Sequence, residues 1–232
     1  MSRWFPEQIL LRVGDGPPGP DRLAAVLAAF ECELDRRALP GGTRITCVVA
    51  GDAARYRIVP WNDDLTSPAQ RQLLAAHCFK EAYGEVAGEW TVRLHPARHG
   101  AAALACALDA RLLDRLDALA RARRLRLVSV QPSLMHAYNE MPPDVGGGLF
   151  WYVCIEAVWT TVLLMSAPEP LHVKQMPSAH LDLALALDRE WFALGLDGPR
   201  CAAHVRRSDA SGLIRADVLG VDAPAPAHRQ AA

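Results

Sequence analysis

Two hydrophobic periods alternate along the chain, one near two residues and one near 3.6, so strands and helices are both predicted. Residues 7–13 read as a first strand, and the glycine- and proline-rich run 14–20 breaks it. Leu23, Leu27, Phe30 and Leu34 then recur at spacings of 4, 3 and 4, which places them on one stripe of a helix that Asp21 can cap and Pro40-Gly41-Gly42 ends. Residues 43–50 and 53–60 flank Gly51-Asp52, a pattern that predicts a β-hairpin. Ser67, Pro68 and Gln70 spell a capping box with proline at the first helical position, and that helix should run to Tyr83 with Gly84 just past its end. Strands are expected at 90–95 and 102–108, a helix from Asp109 with Leu112, Leu116 and Leu119 on one face, a strand at 125–130 and a short helix at 132–139.

Met141-Pro142-Pro143-Asp144-Val145-Gly146-Gly147-Gly148 is the sharpest punctuation, and a lobe boundary is placed there: 1–144, then a smaller 145–222, then an Ala/Pro tail at 223–232 expected to be disordered. The second lobe predicts strands at 149–156, 158–165 and 170–175, a helix capped by Ser178 and running through Leu183, Leu187, Trp191 and Leu194, and strands near 200–206 and 211–219. The apolar run 149–167 carries Glu156 near its middle and is rich in Trp, Tyr, Val and Thr, which favours two buried strands over a membrane span. Strands alternate with helices first and precede a helix later, so the class is α/β (α+β).

Composition narrows the function. A net charge of −1 gives the molecule no overall attraction to nucleic acid or anionic lipid. Cys32, Cys47, Cys78, Cys106, Cys154 and Cys201 are scattered, with no CxxC knuckle, which points to a reducing compartment. Met1-Ser2-Arg3-Trp4-Phe5-Pro6 lacks the apolar segment of a signal peptide.

No catalytic motif stands out. Asp63-Asp64 has no third acid or histidine at a metal-ligand spacing and reads as charge at a helix start. His95 and His99 flank Pro96 and Gly100, so they read as loop histidines. Ser133 follows Pro132 at a strand-to-helix junction but lacks the glycines of a nucleophile elbow, and reads as a helix-start residue. Gly14-Asp15-Gly16 and Gly146-Gly147-Gly148 fit neither a P-loop nor a dinucleotide fingerprint. The basic cluster Arg121, Arg123, Arg124 and Arg126 has no interleaved aromatics and reads as a solvated helix end.

The order strand, Pro60-Trp61, capped helix, strand pair, amphipathic helix, then Leu125-Arg126-Leu127-Val128-Ser129-Val130-Gln131-Pro132-Ser133-Leu134-Met135 resembles the actin-like assembly proteins of type IV pilus systems. It also resembles the cytoplasmic part of the L subunit of type II secretion, and the resemblance spans residues 9–194 through spacing and apolar runs. It implies an actin-like (RNase H-like) two-lobe architecture with mixed sheets flanked by helices. The nucleotide-binding version of that family carries an Asp-x-Gly hairpin in each lobe. Here Asp15-Gly16-Pro17 stands at the first, and Glu156-Ala157-Val158-Trp159-Thr160 puts Val158 near the glycine position of the second, with Trp159 crowding a phosphate. The resemblance thus implies a degenerate nucleotide site at Asp15, Gly16, Glu156, Val158 and Thr160, no cofactor and no catalysis. What it leaves is a cytoplasmic scaffold, peripheral to the inner membrane through a protein partner such as the cytoplasmic tail of an assembly subunit. Trp4, Phe5 and Trp61 are the expected partner contacts, and a homo-oligomer is a further expectation. The alternatives are an ATP-binding actin-like ATPase, a hydrolase using Asp63 or Asp64, and a nucleic-acid binder using Arg121–Arg126.

Overall fold

The structure is a computed structural model that describes residues 8–13, 22–140, 142–143, 148–197, 201–208 and 214–219. The tail at 223–232 and the expected cap Asp21 lie outside them. Strands β1 (Gln8–Val13) and β2 (Arg44–Val49) run parallel, with helix α1 (Arg22–Arg37) between them in the chain. A parallel pair needs a crossover, and the predicted apolar stripe supplies it: Leu27, Phe30 and Leu34 are buried.

The expected hairpin at Gly51-Asp52 does not form. Ile45 to Val49 are all buried, which marks a central strand covered on both faces. β2 is hydrogen-bonded to β1 on one side and to β6 (Arg126–Pro132) on the other, both parallel, so it has no edge left for the segment that follows. A 3-10 turn at Gly51–Ala53 instead hands the chain to a second sheet.

That second sheet is antiparallel, in the order β3 (Ala54–Val59), β5 (Ala103–Asp109), β4 (Trp90–Leu94). Helix α2 (Pro68–Tyr83) covers one face through Ala75 and Phe79. Its start is as the sequence predicts: Ser67 accepts from the Gln70 N–H at 3.2 Å, and the Gln70 side chain accepts from the Ser67 N–H at 3.0 Å. Gly84, at φ 75°, closes it. Asp109 caps α3 (Ala110–Ala122), which returns the chain to β6, and α4 (Ser133–Glu140) follows directly.

The third sheet is a meander, β7 (Leu149–Ile155), β8 (Trp159–Ser166) and β9 (Glu169–Pro177), extended by β10 (Ala203–Ser208) parallel to β7 and by β11 (Ile214–Leu219). Helix α5 (Leu183–Ala193) lies between β9 and β10 in the chain. Its cap is Asp182, whose Oδ1 accepts from the Leu185 N–H at 3.1 Å, and not the expected Ser178. Ser178 is held by the sheet: its N–H donates to the Val158 carbonyl at 2.8 Å and its hydroxyl meets that of Thr160 at 2.9 Å.

Burial on both faces explains the apolar run in β7 and β8. Phe150, Tyr152 and Cys154 face the main core, while Trp151 and Val153 face a second core with Leu187 and Trp191 of α5. The main core also takes Leu11, Phe30, Ile45, Leu116 and Leu134, so residues from both sides of position 144 share it. Among the described residues no helix is long and apolar enough to cross a membrane.

Candidate functional site

The ends of all three sheets meet at one residue. Gly51 begins the turn between β2 and β3, and both of its backbone polar groups are taken by the third sheet. Its N–H donates to Glu156 Oε2 at 2.9 Å, and its carbonyl accepts from Gln175 Nε2 of β9 at 2.6 Å. Ser133, the first residue of α4, donates its hydroxyl to the same carboxylate oxygen at 2.9 Å. Glu156 is 6% exposed, so its carboxyl group has to find partners inside the protein, and these two donors are among them. The fit is close: a Cβ on Gly51 would lie 2.5 Å from Glu156 Oε2 and 3.4 Å from Thr161 Oγ1. Next to this contact Asp52 pairs with Arg22 of α1, tying the turn to the first helix.

Of the residues expected at the degenerate nucleotide loop, the structure separates Glu156 from the other two described ones. Val158 accepts at its carbonyl from the Ser178 N–H, and the Thr160 hydroxyl shares a hydrogen bond with that of Ser178. The threonine beside Gly51 is Thr161, because neighbouring strand residues face opposite sides of a sheet. Asp15 and Gly16 lie outside the described residues. Nothing in the sequence marks Gly51, Gln175 or Thr161 for this contact, and Ser133 reads there as a helix start alone. The one available signal was Glu156 itself, since a carboxylate inside an apolar run must find donors.

Trp61 follows the end of β3 and is half-buried. Its Nε1–H donates to Asp63 Oδ1 at 2.8 Å, the Arg71 guanidinium stands 5.0 Å from the ring centroid, and His99 meets the ring edge-on at 4.5 Å. Trp61 and Arg71 form one wall of a cavity of about 300 Å³ that reaches Leu74 and Ala103. The Asp63 carboxylate is thus engaged by an indole, the Asp64 backbone N–H donates to Asn62 Oδ1 at 2.8 Å, and among the described residues no group of acids, histidines or cysteines converges to hold a metal. Trp4 and Phe5 lie outside the described residues.

Beyond Leu94, His95 and Pro96 lies a second hollow of about 530 Å³, between the second sheet and β6. Leu104, Leu108 and Leu113 line it from one side and Val128 and Val130 from the other. Among the described strands β6 ends its sheet, and Val128 sits at an irregularity in the β2–β6 register and is 40% exposed. The basic cluster nearby is partly neutralised: Arg121 pairs with Asp117 at 2.6 Å and Arg123 with Asp35 at 2.8 Å.

No family model and no curated protein matches the chain. Solved structures do. The cytoplasmic domain of EpsL, an inner-membrane component of the type II secretion system of Vibrio cholerae, matches with a TM-score of 0.55 at 11% identity, over 79% of this chain and 68% of that one. A Bacteroides thetaiotaomicron protein with an actin-like ATPase fold and unknown function matches with a TM-score of 0.54 at 11% identity, over 85% of this chain and 80% of that one. The fold is actin-like. The PilM–PilN type IV pilus biogenesis complex is similar with a TM-score of 0.47 at 17% identity, over 78% of this chain and 58% of that one. Within this actin-like fold the described part of the first sheet is wholly parallel, and the β7–β8 turn that carries Glu156 meets Gly51 and the start of α4.

Proposed function

We propose that the chain is a non-catalytic scaffold of a secretion- or pilus-type assembly apparatus, which captures an extended segment of a partner protein between the second sheet and β6. The observation that carries this reading is the apolar hollow of about 530 Å³ with β6, an end strand, along its side. An end strand offers unpaired backbone groups to an incoming strand, and the flanking leucines and valines offer pockets to alternate side chains. The fold shared with the EpsL cytoplasmic domain supports an assembly setting, with the cytoplasmic tail of an inner-membrane subunit as the partner. The protein would then work in the cytoplasm, held near the membrane by that tail, with lobes at 1–144 and 145–222 and the hollow in the first. Glu156 supports the non-catalytic part, because its carboxylate is engaged by protein donors at the turn where the resembled family places a phosphate hairpin.

The test uses fluorescent peptides covering the cytoplasmic tails of inner-membrane subunits encoded beside this gene. Saturable binding to one of them is expected, lost in Val128→Lys and kept in Leu73→Lys, a substitution at an apolar residue 70% exposed on α2. Failure of every tail, or equal binding by Val128→Lys, rejects the reading.

A further inference from the structure

The groups that converge on Glu156 are those that bind an oxyanion. Gly51 brings a backbone N–H and Ser133 a hydroxyl, each 2.9 Å from Oε2. Ser133 opens α4, so the carboxylate lies at the positive end of a helix. Thr161 is an independent sign: it is 0% exposed, its Oγ1 has no hydrogen-bond partner among the described residues, and it lies 3.4 Å from the position of a Cβ on Gly51. A buried hydroxyl left over beside two converging donors fits a site with more donor capacity than one carboxylate oxygen uses. Lack of a Cβ at Gly51 is what lets the anion approach the backbone, since that carbon would stand 2.5 Å from Oε2.

We propose that this is an oxyanion-binding site which the protein keeps filled with its own carboxylate. Gly51 and Ser133 belong to the first sheet's ends, and Glu156 arrives from the β7–β8 turn of the third. The filled site therefore pins the third sheet to the first and shuts out external phosphate. Removing the carboxylate opens the site to an inorganic oxyanion of phosphate size.

The probe is inorganic phosphate against chloride at equal ionic strength, read by thermal unfolding. Phosphate stabilises many proteins by exclusion from their surface, so the quantity that decides is the phosphate effect on a variant minus that on the wild type. Glu156→Ala should melt lower than wild type in chloride and recover a large part of that loss in phosphate. Glu156→Gln, whose amide fills the same space, should show no extra gain. Adding Ser133→Ala to Glu156→Ala should abolish the gain. A folded Glu156→Ala that responds to phosphate no more than wild type overturns the proposal. If Glu156→Ala does not fold in chloride, refolding from urea decides: recovery in phosphate alone supports the site, and recovery in neither salt overturns it.

Discussion

The Gly51 amide and the Glu156 carboxylate, 105 residues apart in the chain, are joined by a buried 2.9 Å hydrogen bond. The Gly51 carbonyl accepts from Gln175 of the third sheet, so both backbone groups of Gly51 have partners in a distant part of the chain. The turn between the first two sheets therefore has its conformation set by the third.

Gly51→Ala should be costly although alanine is otherwise a mild change. The added carbon would meet Glu156 Oε2 at 2.5 Å, so the carboxylate must withdraw and leave buried donors unpaired. A loss of about 1–3 kcal/mol is expected. In urea unfolding Gly51→Ala combined with Glu156→Ala should cost less than the two singles added, because both remove the same contact. Strict additivity would show that Gly51 acts through something else.

Mg²⁺-ATP should leave the melting temperature of the wild type unchanged. A ligand present at 100 times its Kd adds roughly 2.7 kcal/mol of stability, an effect that thermal shift reads easily. A clear upward shift would favour the ATPase alternative over the scaffold.

Trp61→Ala should keep the fold and weaken partner capture. The indole is half-buried and its neighbours Asp63, Arg71 and His99 form a surface arrangement, separate from the buried clusters. The expected stability cost is about 1–2 kcal/mol, from lost burial and the cation–π contact. The cavity wall that Trp61 forms adjoins the β6 hollow through Leu94, His95 and Pro96, which is why capture should respond. Circular dichroism checks the fold and peptide anisotropy checks capture; a variant that unfolds would place Trp61 among the core residues.

Local signals were legible in the sequence and long-range ones were not. The Ser67–Gln70 capping box and the Leu27, Phe30, Leu34 stripe are decided within a few residues, and both stand in the structure. The proline-ended strand and the short helix after it, β6 and α4, were legible for the same reason. Gly51-Asp52 looks like a hairpin turn because Gly and Asp suit tight turns, yet the run Ile45 to Val49, apolar except for Thr46, is the better guide, since only a central strand buries both faces. The site was harder. Ser133 and Gln175 reach the Gly51–Glu156 contact from 23 and 124 residues away, measured to Glu156 and Gly51 respectively, and no spacing rule connects them. Choosing Thr160 over Thr161 was a matter of strand facing, which the register of β7 and β8 decides.

His136 should make the protein acid-sensitive. It is 5% exposed, with Nδ1 3.4 Å from Gln131 Oε1. Burial pushes its pKa below the usual 6.5, the positive charge of Arg12 pushes the same way, and Glu140 opposes both. The folded protein therefore holds the ring neutral in a range where the unfolded chain binds a proton. The stability it contributes is present above the unfolded value and is lost as pH falls through that value toward the folded one. Urea midpoints should decline as pH drops from about 7 to about 5. His136→Gln should start lower, through imperfect packing, and decline less over the same window. Equal slopes for wild type and variant would show that the acid sensitivity comes from another group.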